Sequence, residues 1–205
     1  MRCVNCGAFS LRTICAACAA NLAECRLGMR QVEGFSVFYY YGYSEIRELI
    51  LSKHHEYGAA VLARIASLSL AKFPLHLRRE ISANPQNYEA FKTDGAFKFN
   101  AVPLDDDARS GYSHTAILAR ALKSELVEPK FHCLRAQNRV KYTGQSLEFR
   151  LKHKRNFKIL TPPKFPVILV DDIITSGLSM LQARESLIDG GFMPVCGLVL
   201  ANAKE

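Results

Sequence analysis

Two clusters of residues have the types and spacing to do chemistry. Cys3-Val-Asn-Cys6 and Cys15-Ala-Ala-Cys18 form two C-x2-C knuckles separated by eight residues. Each pair closes a tight turn that points both sulfurs inward, so the four thiolates can surround one tetrahedral Zn2+. Such a shell has no open coordination position, which would make the metal structural rather than catalytic. Few apolar residues lie between Met1 and Leu22, so the metal would supply much of the folding free energy there. Disulfides and plain packing are the rival readings. The N-terminus MRCVNCG lacks the apolar core of an export signal, and reduced thiols fit such a chain better. Cys25 is near enough in sequence to be a spare ligand, while Cys133 and Cys196 sit in apolar runs that suit a core.

The second cluster is VILVDDIITSGLSM, residues 167–180. Residues 166–170 read as a buried strand, and a helix starts near Leu178. In an open α/β sheet, ligands bind beyond the carboxyl ends of the strands, which puts Asp171, Asp172 and the turn 175–179 at such an edge. The turn offers backbone N–H groups at a helix start, Gly177 permits close approach of an anion, and the hydroxyls of Thr175, Ser176 and Ser179 add donors. The combination suits a phosphate. Two carboxylates would repel that phosphate, but they can accept hydrogen bonds from vicinal hydroxyls, and a ribose 5-phosphate satisfies both halves. The bland alternative is an acid-rich turn with no ligand. An aspartyl-phosphate receiver would need a phosphoacceptor arrangement that this sequence does not offer.

Charge is the third signal. Residues 129–160 hold nine Lys or Arg against the single acid Glu148, an excess equal to the +8 of the whole chain. Concentrated positive charge suits a polyanion, nucleic acid or a phosphorylated small molecule, and equally a solvated loop. No stretch reaches the roughly 18 apolar residues of a membrane span, so membrane insertion is not expected and the chain reads as cytoplasmic.

The elements that must position these residues alternate between strand and helix. Strands are expected at 34–41, 97–103, 166–170 and 194–201. Helices are expected from an N-cap at Ser44, over 57–73, from a cap at Ser113, and over 178–188. Residues 74–95 have weak periodicity and stay unassigned. Continuously apolar strands between helices predict an α/β fold with a parallel sheet. His54, His55 and His114 read as surface or capping residues, and Tyr39, Tyr40 and Tyr41 as partly core.

The stretch VILVDDIITSGLS resembles the phosphoribosyl diphosphate (PRPP) loop of type I phosphoribosyltransferases. The order of the cysteine knuckles, YGYSEIRELILSKHHEYG, a V-P-L strand end, a G-Y-S-H helix start, Q-S-L-E-F-R, R-N-F and this loop is similar to the ComF family of competence proteins. That resemblance implies a zinc finger over 1–33 and a phosphoribosyltransferase-like domain over 34–205. It implies PRPP bound with Mg2+, a role in natural transformation handling incoming single-stranded DNA, and other competence proteins such as a DNA helicase as partners. Asp171 and Asp172 would be catalytic and hold the ribose, with Ile174, Thr175, Ser176, Gly177, Leu178, Ser179 and Lys53 completing the PRPP site. Arg139, Lys141, Arg150, Lys152, Lys154 and Arg155 would meet DNA, with Gln145 nearby. The family usually has basic residues and Gly-Phe-Asn-Gln after V-P-L. Here Asp105, Asp106 and Asp107 precede Gly111-Tyr112-Ser113-His114, and those acids would repel a diphosphate unless neutralised. The alternatives are a transferase moving ribose 5-phosphate from PRPP to a nitrogenous acceptor, and a module in which PRPP tunes DNA binding.

Overall fold

A computed structural model describes residues 1–104, 111–138 and 155–204. Its centre is a six-stranded sheet in the order β1-β2-β10-β9-β5-β6, formed by β1 (Gly28–Val32), β2 (Phe35–Gly42), β5 (Phe99–Pro103), β6 (Val127–Pro129), β9 (Val167–Ile174) and β10 (Pro194–Asn202). β2, β10, β9, β5 and β6 run parallel, and β1 pairs antiparallel with β2 at one edge. Two short ribbons complete the strands among the described residues: β3 (Lys92–Thr93) with β4 (Ala96–Phe97), and β7 (Leu134–Ala136) with β8 (Phe157–Ile159).

Five helices pack with one face of the sheet: α1 (Ala16–Ala23), α2 (Tyr43–Leu51), α3 (Gly58–Leu68), α4 (Phe73–Ala83) and α5 (His114–Arg120). Their core includes Leu62, Ile65, Phe73 and Leu118, joined by Ile168, Val170, Leu198 and Leu200 from the strands. On the other face α6 (Leu178–Asp189) sets Met180, Leu181, Ala183 and Leu187 against Val167, Leu169 and Val199. Helices therefore cover both faces, as buried parallel strands require. Each fully buried Leu or Ile contributes about 1.5–3 kcal/mol of transfer free energy. Cys3, Ile14, Cys18, Ala19 and Leu22 join the first core, so the N-terminal knuckle is packed on the sheet domain through α1.

Local chemistry corrects several expected boundaries. α2 begins with Gly42 at the N-cap, and the Glu45 carboxylate accepts the Gly42 N–H at 2.6 Å, which leaves Ser44 inside the first turn. The helix expected over 57–73 ends at Leu68, and α4 lies in the stretch left unassigned: Ser69 leaves helical geometry and its hydroxyl bonds back to the Ile65 carbonyl at 2.8 Å. α4 then restarts with Pro74 in its first turn, where the absent N–H costs nothing. The helical run Gly58–Ala83 contains an apolar window of membrane-span length, but half of that window is buried in the core. Ser113 is the cap of α5, its hydroxyl accepting from the Ala116 N–H at 3.1 Å.

Candidate functional site

The four knuckle sulfurs converge. Sγ atoms of Cys3, Cys6, Cys15 and Cys18 lie within 4.8 Å of one another, and Cys6 and Cys15 are 3.7 Å apart. Sulfurs on a tetrahedral Zn2+ at about 2.3 Å stand about 3.8 Å from each other, so this donor set could hold a structural metal ion such as zinc. N–H donors surround it: Cys15 N to Cys3 Sγ at 3.3 Å, Cys18 N to Cys15 Sγ at 3.5 Å, and Asn5 Nδ2 to Cys18 Sγ at 3.3 Å. Burial pushes the Cys3 thiol up, but backbone N–H groups, that of Cys15 foremost, outweigh it and bring it down to about 6. The thiolate is the ligand form. Cys25 lies outside the cluster; its thiol faces the Leu68 carbonyl at 3.8 Å and the Lys72 ammonium at 3.6 Å. Cys133 and Cys196 are core residues, 0 % and 4 % exposed.

The second cluster sits at the carboxyl edge of the sheet. β9 does not stop before the acids: it continues through them to Ile174, with Asp171 paired to Val199 of β10. The strand turns Asp172 toward α5 and the short turn Ser52–His54 after α2, where Lys53 Nζ meets its Oδ2 at 2.5 Å and His114 Nε2 lies 3.8 Å away. Asp171 Oδ1 accepts the Asp172 N–H at 2.9 Å. His114, Asp171 and Asp172 each bring one ligand atom within 4.8 Å of the others.

Adjacent in sequence, the two carboxyls differ in electrostatics. Burial, then the neighbouring Asp172 charge, pushes Asp171 up to about 8. Burial acts the same way on Asp172, but the Lys53 ammonium and then His114 outweigh it and hold that carboxyl below its ordinary range. Burial alone would lower Lys53; the Asp172 and Asp171 charges raise it instead. The cluster is therefore a Lys53–Asp172 ion pair beside a carboxyl, Asp171, that holds its proton more strongly than an ordinary aspartate.

Lys53 is positioned by a contact that the sequence does not advertise. The Tyr112 hydroxyl donates to the Lys53 carbonyl at 2.8 Å, and Gly58 lies so close beneath that a Cβ there would stand 2.5 Å from the Tyr112 oxygen and 2.2 Å from the Ser52 carbonyl. Compared with protein-family models and with the curated proteins, the chain matches none.

The turn after β9 borders a shallow concavity of about 30 Å3, lined by Asp171 and residues 173–180. Thr175 is exposed, Ser176 and Ser179 are half-buried, and the first turn of α6 presents N–H groups that have no acceptor within the helix. Gly177, however, does a different job from the one its type suggests. Its φ is +86°, and the space a Cβ would fill is taken by Val32 Cγ1 at 2.6 Å, so glycine is required by the turn and by β1. Beside it Arg30 Nη1 donates to the Thr175 carbonyl at 2.7 Å and to Asn202 Oδ1 at 3.1 Å, tying β1 and β10 to the turn. Ile174 is 2 % exposed, which leaves only its backbone to face a ligand.

Arg155 is half-buried, donates its backbone N–H to Gln182 Oε1 at 3.0 Å and lies near enough to Asp171 to favour that carboxylate. Asp105, Asp106, Asp107, Arg139, Lys141, Gln145, Arg150, Lys152 and Lys154 lie outside the described residues. His114, Tyr112 and Arg30 are additions to the site. Only His114 had a usable signal, because it opens a helix directly after a strand, on the edge where α/β ligands gather.

Proposed function

We propose that the chain is a PRPP-binding protein of the ComF type, acting on incoming single-stranded DNA in natural transformation. The observation that carries the reading is one edge of the sheet where carboxylates, a half-buried ammonium and a helix mouth meet. Asp171 and Asp172 stand at the end of β9, Lys53 is locked against Asp172, and the turn 175–179 opens into α6. The 5-phosphate fits the turn, where backbone N–H groups and the hydroxyls of Thr175, Ser176 and Ser179 supply donors and the helix dipole favours negative charge. Asp172 commits Oδ2 to Lys53, so the ribose diol falls first to Asp171. Lys53 brings fixed positive charge to the region a diphosphate would occupy. Carboxylate oxygens of Asp171 and Asp172 are hard donors that suit Mg2+, which keeps water and phosphate oxygens as its remaining ligands. Mg2+ bound with PRPP would supply further charge to offset the diphosphate.

Calorimetric titration of Mg2+ and PRPP into the wild-type chain and into Asp171→Ala plus Asp172→Ala tests this. A loss of affinity of about a hundredfold is expected, equivalent to roughly 2.7 kcal/mol. Undiminished affinity in the double variant would sink the reading. The DNA arm has its own test. Affinity for single-stranded DNA should fall steeply with salt and drop when Arg150, Lys152, Lys154 and Arg155 are neutralised. Salt-independent binding would remove that arm and leave PRPP binding standing.

A further inference from the structure

At the opposite end of the strands from the Asp171 edge, α4, the short turns Pro85–Asn87 and Glu89–Phe91, β2 and the start of β10 surround a cavity of about 290 Å3. Its floor is a true core: Phe73 is 1 % exposed, and Leu77 and Cys196 are buried with it. Its walls are different. Phe38, His76, Tyr88 and Phe91 are all only partly buried, so ring surface that a closed core would cover lines an open space. The rings already brace one another: Phe38 packs on Phe73 at 5.4 Å between centroids and on His76 at 6.3 Å, and Tyr88 packs on Phe91 at 6.1 Å.

One full charge lines this space, the carboxylate of Glu80. The Glu80 side chain has no hydrogen bond and no ion pair among the described residues. Glu80 and Tyr88 both line the cavity, and the Tyr88 phenol is pushed up by burial and next by the Glu80 charge. Aromatic faces carry negative potential and attract cations, most strongly where water is excluded. A carboxylate without a counter-ion beside several such rings lacks a cation.

The geometry points to a second ligand site here, for a small organic ammonium compound with a ring or short apolar body. The apolar part fits between the rings of Phe38, His76, Tyr88 and Phe91, and the ammonium meets Glu80. The volume lies at the low end for ligand pockets, which suits a fragment-sized amine and excludes a peptide helix. Cys196 pairs with Ile168, three residues before Asp171, so the cavity floor is about 10 Å along the sheet from the acids, and the site is independent of the PRPP reading.

Phenethylamine, charged at neutral pH, and 2-phenylethanol, its uncharged counterpart, are the probes, titrated into the full chain by ligand-observed NMR. The amine should bind about tenfold more tightly than the alcohol, the scale of a cation held by aromatic faces and a carboxylate. Glu80→Gln should erase that preference, and Phe91→Ala should weaken both probes, with circular dichroism confirming that each variant is folded. Asp171→Asn should change neither. Equal affinity for the two probes, no binding of either at millimolar concentration, or a preference that survives Glu80→Gln would overturn the inference. A change with Asp171→Asn would do the same, by assigning the amine to the other edge.

Discussion

The cysteine knuckle and the Asp171 edge are both small groups of ligand-type side chains, yet they are built in opposite ways. The knuckle draws its four sulfurs from sixteen consecutive residues, 3–18, and its geometry is held by turns and N–H···S bonds within that span. The edge draws Lys53, His114 and Asp172 from three separate segments, with Lys53 and its partner 119 positions apart. The first gathers one kind of donor into a closed shell. The second sets unlike groups at an open edge, where burial and neighbouring charges give adjacent carboxyls different protonation. Locally built clusters suit a structural ion; clusters assembled from distant segments can be tuned group by group.

Metal removal gives the largest contrast. A strong chelator, or Cys3→Ser with Cys18→Ser, should take bound Zn2+ from about one per chain to near zero and melt α1, because structural zinc contributes about 10–16 kcal/mol of apparent binding free energy in small zinc domains. Metal analysis with far-UV circular dichroism reads both. Retention of α1 helicity without metal would mean that packing on α3 holds the knuckle instead.

Next comes the split between the two acids. Asp172→Asn leaves the Lys53 ammonium without its partner and should lower unfolding free energy by about 3 kcal/mol in urea, the low end for a buried pair because the lysine side chain is 21 % exposed. Asp171→Asn should not destabilise the chain at neutral pH and should if anything stabilise it, since the folded state already favours the uncharged form. Equal losses for both would break the idea that the neighbours do different work.

Gly177→Ala tests the turn. A positive φ and a contact with Val32 together should cost about 1–3 kcal/mol, and Val32→Ala in the same chain should recover the contact part but not the backbone part. Double-variant melting curves measure the recovery, and none at all would mean that β1 does not press on the turn.

The same split sets the pH profile. Asp171 has a folded value raised from 3.8 to about 8, so its contribution favours the folded state at low pH and is lost as pH rises through that window. Asp172 has the opposite sign: its stabilisation is present above the ordinary carboxylate range and is lost as pH falls through its depressed value. Asp171→Asn should flatten the decline in stability between pH 3.8 and about 8 and leave the acid limb in place. A variant whose profile overlays wild type would show that Asp171 titrates normally.

Much of the architecture was legible because it rests on short-range rules. Continuous apolar runs ending in turns marked β9 and β10, and Ser113 marked the start of α5 through its own hydroxyl. Where the expectation failed, a second local signal competed and won. Glu45 reached back to Gly42 and displaced Ser44 from the cap, and Ser69 bonded to Ile65 and ended a helix that apolar periodicity alone would have carried to Phe73. β1, with its sequence GMRQV, has no alternation to announce it; it is a strand because β2 offers it an edge.

By itself the sequence determined which chemistry was available: four thiols at ligand spacing, two acids at a strand end, a turn rich in hydroxyls, and alternating elements that make a sheet covered by helices. Tertiary structure alone decided which acid meets Lys53, that Tyr112 and Gly58 hold that lysine in place, that Val32 claims the space at Gly177, and that Glu80, with no ion pair among the described residues, lines a cavity with aromatic rings. The physical reason is that spacing along a chain fixes contacts only over a few residues. The charge state of a group is set by whatever surrounds it in space, and for Asp172 that neighbour is 119 residues away.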